Sequence, residues 1–443
     1  MNFSGYQEFR NKFEKSYGSY QLKYPNAFLA LDFPAQLRVL QEYENSWVKD
    51  SHIQHYFDQT IKLDFISKFY SIFLRMTAFF RIIRPSKKIT IHNSIQNSNF
   101  PGFNKILDST AKKNGWNLIY GIQPDSSFWD ILSFKVISPY RSFLSTRTKK
   151  ILSEFNKRDK IEWFGLLKNE RMMTALDNSV KSDVKTLEKL LFRLGIDIFI
   201  NTGDSSASAR VLIEACSNHN IKTISFAHGY ISDFTLIGIA PVRSDKLILW
   251  TEKQFTEFSN VVDETQASRL DFVGFPKKIN FVDQPNSDQS ILLVTTFIEP
   301  MLNDSKKKYF LKNVILELKK ISPNFRLRLH PNERTNISKI NDFLAENHVN
   351  LAHGDLMDEI AKSNYIVGFS SSVLLEAASS GKPVFEIKEL TDPLHEFESI
   401  KKISINEIQN IDDIDFNPTN HKELFFNKKK ISLNLQRLIQ SMV

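Results

Sequence analysis

Cysteine is nearly absent from this sequence, since 443 residues include only Cys216. A single cysteine excludes an intrachain disulfide and any metal site built on cysteine pairs. Its surroundings, VLIEACSNHNI, predict a helix in which the thiol is buried. No apolar run approaches the ~20 residues that span a bilayer, and the start of the chain lacks the apolar core of a signal peptide. We therefore expect a cytoplasmic protein.

The sequence also lacks the common motifs of nucleotide and metal enzymes. The P-loop G-x-x-x-x-G-K-[ST], the dinucleotide fingerprint G-x-G-x-x-G and the zinc motif H-E-x-x-H do not occur. No D-x-D is convincingly placed to hold a metal–nucleotide complex. We expect neither a metal ion nor another cofactor.

Positive charge exceeds negative charge, with 58 Lys and Arg against 50 Asp and Glu and a formal net charge of +8. The excess is spread along the chain and no nucleic-acid-binding module is recognisable, so we expect no nucleic-acid partner. One local concentration, residues 65–88, is basic and amphipathic at helical spacing. It is either a helix packed on the core or a peripheral contact with an anionic membrane or lipid-linked acceptor.

Strand-like and helix-like segments alternate along most of the chain, a pattern typical of parallel sheets covered by helices. Residues 1–85 form a helical N-terminal region, 86–285 a first Rossmann-like domain and 286–443 a second. The polar, proline-containing segment 281–290 is the predicted linker. The expected fold class is α/β, with two Rossmann-like domains whose parallel sheets face each other across a cleft.

A serine-rich turn in GFSSSVLLEAASSGKPVFE carries the strongest functional signal. Ser370, Ser371 and Ser372 end a predicted strand and begin a helix, at the edge where ligands of open α/β sheets bind. Unpaired N–H groups at a helix start, with hydroxyls beside them, suit a phosphate. Glu376, one turn further on, suits ribose hydroxyls. The alternative is a serine-capped structural helix.

A second signal is RLRLHPNERT, in which His330 ends a strand and Pro331 directs the chain away from it. An imidazole that donates a hydrogen bond suits a phosphate oxygen. Period-two alternation places Arg328 on the same side of the strand as His330. The alternative is a structural histidine at a strand end.

Two further groups of polar residues follow strands in the first half. His228 in FAHGY can take a proton from a hydroxyl group near neutral pH, and Gly229 permits a tight backbone. Asp204 in TGDSSAS is either a helix N-cap or a carboxylate that binds or activates an acceptor. A turn histidine without a role is the alternative for His228.

The order His-Gly, R-x-H-P and S-S-x-x-x-E resembles GT-B glycosyltransferases of bacterial capsule and lipopolysaccharide assembly. These include capsule β-Kdo transferases, polysialyltransferases and teichoic-acid glycerophosphate polymerases. The resemblance spans roughly residues 196–388. It implies that His330 and the three serines contact the donor phosphate, that Glu376 contacts ribose and that Gly229 matches a motif glycine. His228 stands where Kdo and sialic-acid transferases carry an acidic residue, but glycerophosphate polymerases have a catalytic histidine there.

These features predict an inverting, metal-independent glycosyltransferase with a nucleotide-activated sugar donor, a CMP-sugar being favoured. The acceptor is a cell-surface polysaccharide, lipopolysaccharide or glycolipid, and its proton goes to His228 or else to Asp204. Three alternatives stay open: a glycerol- or sugar-phosphate transferase, a UDP-sugar 2-epimerase on the same fold, and a non-catalytic partner in polysaccharide assembly. The expected location is the cytoplasm, in association with the inner face of the membrane.

Overall fold

The computed structural model divides the chain into two compact units. Unit 1 comprises Met1–Val273 and Lys428–Val443, and unit 2 comprises Gly274–Asn427. The structure describes residues 6–42, 50, 53–54, 56–57, 88–95, 100, 102–121, 136–138, 144–156, 158–203, 205–227, 240–274, 290–295, 305–329, 342, 344–369, 371–390, 400–413 and 427–443.

Unit 1 is built on a sheet of seven described strands. They are β1 (Thr90–Asn93), β2 (Asn117–Gly121), β3 (Val136–Ser138), β4 (Ile198–Thr202), β5 (Lys222–Phe226), β6 (Lys246–Leu249) and β7 (Leu270–Phe272). Their spatial order is β3-β2-β1-β4-β5-β6-β7, and each neighbouring pair is parallel.

Unit 2 carries its own sheet of six described strands. They are β8 (Ile291–Val294), β9 (Arg326–Arg328), β10 (Asn350–Leu351), β11 (Tyr365–Gly368), β12 (Val384–Ile387) and β13 (Lys401–Ile403). Their order is β10-β9-β8-β11-β12-β13, again with parallel pairs.

Helices account for most of the remaining described structure. Those of unit 1 are α1 (Tyr6–Lys23), α2 (Pro25–Leu40), α3 (Phe103–Asn114), α4 (Thr146–Asn156), α5 (Lys160–Lys168), α6 (Glu170–Leu194), α7 (Ala207–Ser217), α8 (Glu252–Ser259), α9 (Glu264–Ala267) and α13 (Lys428–Met442). Unit 2 contains α10 (Ser305–Ile321), α11 (Leu356–Ala361), α12 (Ser372–Ala378) and the 3₁₀ segments Lys388–Leu390 and Ile405–Asp413.

Both sheets contain the strand order 3-2-1-4-5-6 that Rossmann folds share, and unit 1 adds a seventh strand. The strands β1, β8 and β12 are buried at every position, as expected of parallel strands covered on both faces. In unit 2 one covering helix is α10, whose Leu311, Val314, Ile315 and Leu318 enter the core. The predicted fold class, α/β with two Rossmann-like domains, is confirmed.

The N-terminal helices form an additional layer on unit 1. The helix α2 packs against α6 and α7, and Asp177 of α6 accepts hydrogen bonds from the N–H groups of Asn26 (2.8 Å) and Ala27 (3.0 Å). These bonds satisfy donors that the start of any helix leaves unpaired. Tyr17 of α1 stacks on Phe164 of α5 with ring centroids 5.3 Å apart.

The last helix belongs to unit 1 although it follows unit 2 in the chain. The helix α13 packs against α3, where the hydroxyls of Thr110 and Ser432 lie 2.7 Å apart. Asn434 Nδ2 donates a hydrogen bond of 3.4 Å to the carbonyl oxygen of Val273. Apolar side chains at helical spacing in α13 are buried, namely Ile431, Leu435, Leu438 and Ile439.

Two predictions that bear on the cellular location of the protein concern Cys216 and membrane-spanning helices. Cys216 is buried in α7, as expected, and burial raises the pKa of its thiol. No helix in the described part of the chain combines the length and apolar character needed to cross a bilayer. The basic segment 65–88 lies outside the described residues except for Lys88, so its membrane contact stays a prediction.

A buried polar contact around Asp183 joins α4 to α6. Its Oδ2 accepts hydrogen bonds from Ser145 N (3.1 Å) and Thr148 Oγ1 (2.7 Å). The residue is only 7% exposed. Burial raises the pKa of the Asp183 carboxyl, and this effect exceeds the lowering by the hydrogen bonds.

We expect Asp183→Asn to become more stable, relative to the native protein, as the pH rises. A carboxyl group with a raised pKa holds its proton more tightly in the folded than in the unfolded state. Its contribution to stability is therefore present below the unfolded pKa of about 4 and is lost as the pH rises through the folded pKa. Asparagine keeps an acceptor and does not titrate. Melting temperatures measured from about pH 4 to about pH 8 should diverge, and parallel curves would contradict the prediction.

Candidate functional site

Each sheet has one place where the winding of the chain reverses. In unit 1 it lies between β1 and β4, and in unit 2 between β8 and β11. The helices that follow two such strands cover opposite faces of the sheet and leave a crevice beyond the carboxyl ends. Ligands of open α/β sheets bind in this crevice. These two strand ends are therefore the candidate site positions of the two units.

In unit 2, β11 and β8 approach each other closely at Gly368, which pairs with Val294. A Cβ atom on Gly368 would lie 2.5 Å from Val294 Cγ2, 2.8 Å from the Val294 carbonyl oxygen and 3.0 Å from Leu374 Cδ2. Because backbone is among these neighbours, they cannot simply move away. Glycine is thus required where β11 runs into the serine turn.

The predicted serine turn lies at this reversal point, between β11 and α12. Ser371 is the N-cap of α12: its side chain is buried and accepts a hydrogen bond of 3.2 Å from Val373 N. Ser372 is the first residue of the helix and is half-buried. Ser370 lies outside the described residues. The Ser371 hydroxyl is therefore occupied in capping α12. Of the two described serines in the turn, Ser372 is the one whose hydroxyl is available to a ligand.

Glu376 and Arg328 are both placed in unit 2, with different surroundings. Glu376 lies one turn into α12 and is 6% exposed. Arg328 ends β9, beside β8, and its Nη1 donates a hydrogen bond to the carbonyl oxygen of Gly354 in the segment that follows β10. The guanidinium of Arg328 thus links the end of β9 to the segment after β10 at the carboxyl edge of the sheet. The ligand contacts expected of both residues stay predictions.

In unit 1 the structure brings together the chain positions that lead into Asp204 and His228. The strands β4 and β5 are paired, with Thr202 opposite Phe226, and Gly203 N donates a 2.7 Å hydrogen bond to the Phe226 carbonyl oxygen. Ala227 is fixed by Trp250, whose Nε1 donates to its carbonyl oxygen at 2.8 Å. The chain therefore enters both predicted catalytic positions from adjacent strand ends.

Several predicted site residues themselves lie outside the described residues. They are Asp204, His228, Gly229, His330 and Ser370, and their roles stay predictions. His330 follows β9 and Ser370 follows β11, the two strands on either side of β8. With strands about 4.8 Å apart, the chain leaves the sheet toward these two residues at points about 10 Å apart.

A row of uncharged polar residues at the reversal point of unit 1 was not predicted from the sequence. Asn93 ends β1, is fully buried and donates to Asn104 Oδ1 at 2.8 Å. Ser225 of β5 donates to Asn201 Oδ1 of β4 at 2.6 Å. Next to them, Thr202 Oγ1 is buried without a hydrogen-bond partner among the described residues. The polar residues at the ends of the segments ITIHNS and IFINTG were the sequence signal that could have indicated this row.

Metal binding was not expected from the sequence. In the described part of the chain, no three His, Cys, Asp or Glu side chains form a group suited to a metal ion. The expectation of a metal-independent reaction stays a prediction.

Comparison with known proteins gives similarity in structure only, since neither a family model nor a curated protein matches the sequence. UDP-GlcNAc 2-epimerase from Neisseria meningitidis has 16% identity, coverage of 80% of this chain and 99% of that chain, and a TM-score of 0.46. The Methanocaldococcus jannaschii UDP-GlcNAc 2-epimerase complex with UDP-GlcNAc and UDP has 15%, the same coverages and 0.49. A glycosyltransferase from Rickettsia africae has 11%, coverages of 81% and 99%, and 0.48. Similarity at this level assigns no activity to the chain.

We expect Gly368→Ala to destabilise unit 2 by about 1–3 kcal/mol, because the added methyl group meets both backbone and side-chain atoms of Val294. Gly165→Ala is the matched control, since a Cβ atom there meets nothing within 4 Å. Because Gly165 lies within the helix α5, its replacement should stabilise by about 0.5–1 kcal/mol. Chemical denaturation checks both. Equal effects of the two substitutions would show that the close approach at Gly368 is not needed.

Proposed function

We propose that this protein is a glycosyltransferase of the GT-B kind that uses a nucleotide-activated sugar. The observation that carries the proposal is the position of the serine turn at the reversal point of a Rossmann-ordered sheet in unit 2. In open α/β proteins this is where nucleotides bind. The motif order His-Gly, R-x-H-P and S-S-x-x-x-E supports the same assignment.

The donor phosphate would bind at the turn formed by Ser370–Ser372. Gly368 supports this, because its missing side chain permits the end of β11 to approach Val294 of β8 closely where the turn begins. Ser372, at the first position of α12, offers a half-buried hydroxyl at the start of the helix, whereas the N–H groups of Val373 and Leu374 are already paired with Ser371. His330 would contact the phosphate from the neighbouring strand end, and Glu376 would contact the ribose. A CMP-sugar is the favoured donor.

The acceptor would bind at the carboxyl edge of unit 1. There an acceptor hydroxyl oxygen attacks the anomeric carbon, the bond from that carbon to the phosphate oxygen breaks, and the configuration inverts. His228, or else Asp204, takes the hydroxyl proton. The departing phosphate is stabilised by N–H groups at the turn, so the step needs no metal ion. The adjacent ends of β4 and β5, where Gly203 N donates to the Phe226 carbonyl oxygen, support a base at this edge from one of the two residues that follow.

The acceptor class is a cell-surface polysaccharide, lipopolysaccharide or glycolipid. The transfer reaction would take place in the cytoplasm, beside the inner face of the membrane. A glycerol-phosphate transferase, a UDP-sugar 2-epimerase and a non-catalytic assembly partner are the competing functions. The nucleotide that the protein binds distinguishes these functions from one another.

We expect a thermal-shift panel of CMP, CDP, UDP, UMP, GDP and ADP to reveal the donor nucleotide. A ligand at 100 times its dissociation constant stabilises the folded protein by about 2.7 kcal/mol. Stabilisation by CMP that persists in EDTA is the expected result. It should decrease strongly in His330→Ala and Ser372→Ala. The matched control is Ser379→Ala, at the far end of the same helix, where the hydroxyl donates to the Glu376 carbonyl oxygen at 2.7 Å.

Each other outcome of the panel favours a different function. A response to CDP supports the glycerol-phosphate transferase, and a response confined to UDP supports a UDP-sugar transferase or the epimerase. Consumption of a UDP-sugar without any acceptor would decide for the epimerase. No response to any nucleotide would contradict the proposal and leave the assembly partner as the better account.

We expect His228→Ala to lower turnover by about 10²–10⁴-fold if His228 is the general base. Nucleotide binding should persist, because the nucleotide site is assigned to unit 2. His219→Ala is the matched control, since His219 lies exposed just beyond α7. Steady-state rates with the nucleotide sugar found by the panel provide the measurement. A rate within twofold of the control would remove His228 from the mechanism and leave Asp204 as the candidate.

A further inference from the structure

The outer face of α7 is covered by α2, which adds a helical layer outside the covering layer of the sheet. As a result Arg210, in the first half of α7, is only 2% exposed. The helix α7 starts at Ala207, after its N-cap Ser206. The short segment 203–206, which carries Asp204, leads from β4 into it. The position of this segment therefore depends on what holds the first turn of α7.

A buried ionic cluster connects α2 to that turn. Asp32 of α2 is 1% exposed, and its Oδ2 accepts hydrogen bonds from Arg210 Nη1, from Gln36 Nε2 at 2.9 Å and from Arg243 Nη2 at 3.4 Å. Burial alone raises the pKa of the Asp32 carboxyl, but Arg210 and Arg243 outweigh it and hold the pKa below its ordinary value. Separating such a buried pair leaves an uncompensated charge, which costs far more than a surface pair would. Arg210 is therefore held in place relative to α2.

A second contact acts on the first residue of α7. The N–H group of Ala207 donates a 3.0 Å hydrogen bond to the hydroxyl oxygen of Tyr56. The Tyr56 ring packs edge-on against Phe33 of α2, with centroids 5.1 Å apart. The N-terminal region thus supplies a partner for a helix-start donor that has none within the helix.

We propose that Asp32 and Tyr56 are positioning residues, which fix the first turn of α7 and thereby the segment 203–206 at the acceptor side of the site. The proposal rests on the proposed function, because that segment carries one of the two candidate bases. It assigns the N-terminal helices a part in the reaction without contact with either substrate. It also accounts for a buried charge cluster where apolar packing would suffice to cover α7.

Tyr56→Phe tests the proposal most cleanly, because it removes one hydroxyl and keeps the ring. Tyr17→Phe is the matched control, since the buried Tyr17 hydroxyl has no hydrogen-bond partner among the described residues. In Tyr56→Phe, amide hydrogen exchange in peptides covering 203–210 should be about 5- to 10-fold faster, with α6 unchanged. Turnover of the nucleotide sugar found by the panel should decrease about 10-fold, with its KM unchanged. Asp32→Asn should give the same local exchange pattern if it folds.

Three results would overturn the proposal: unchanged exchange at 203–210, acceleration spread evenly over unit 1, or turnover equal to that of Tyr17→Phe. The first two concern positioning and do not depend on any activity. Failure of the proposed function has a different signature, because the native protein would then respond to no nucleotide in the panel. Faster exchange at 203–210 without any nucleotide response would overturn only the link to catalysis.

Discussion

The parallel pairing of β8 with β11, and of β1 with β4, is the constraint on which the rest of the structure depends. At these pairs the two halves of each sheet meet, and the strands on either side follow the chain in opposite directions across the sheet. Because the pairing is parallel, the carboxyl ends of the strands lie at one edge of each sheet. Polar residues that are distant in the chain become neighbours there. In unit 2 the pairing reaches Gly368, whose lack of a side chain permits its close approach to Val294 of β8.

Unit 1 adds a second constraint to this plan. Where α2 covers α7, two charged side chains, Asp32 of α2 and Arg210 of α7, are buried against each other. Such a pair adds little net stability compared with apolar packing, but it fixes one arrangement because displaced charges have no partner. The cluster therefore defines the position of the first turn of α7 and adds little to the stability of the fold.

The fold by itself leaves the chemistry open. Two Rossmann-like domains host many different reactions. Side chains at the strand ends therefore distinguish sugar transfer from the other reactions of this fold. Ser371 illustrates the limit of a motif: its hydroxyl caps α12, which leaves the hydroxyl of Ser372 to meet a phosphate.

The sequence by itself determined the alternation of strands and helices, because apolar runs and helical periodicity are local. It also placed the serine turn between a strand and a helix. Short elements such as β10 and β13 carry too few residues for a pattern. Sheet order, the return of α13 to unit 1 and the Asp32–Arg210 pair, 178 residues apart, were decided by the tertiary structure alone. Such contacts depend on the packing of whole surfaces, which no local pattern encodes.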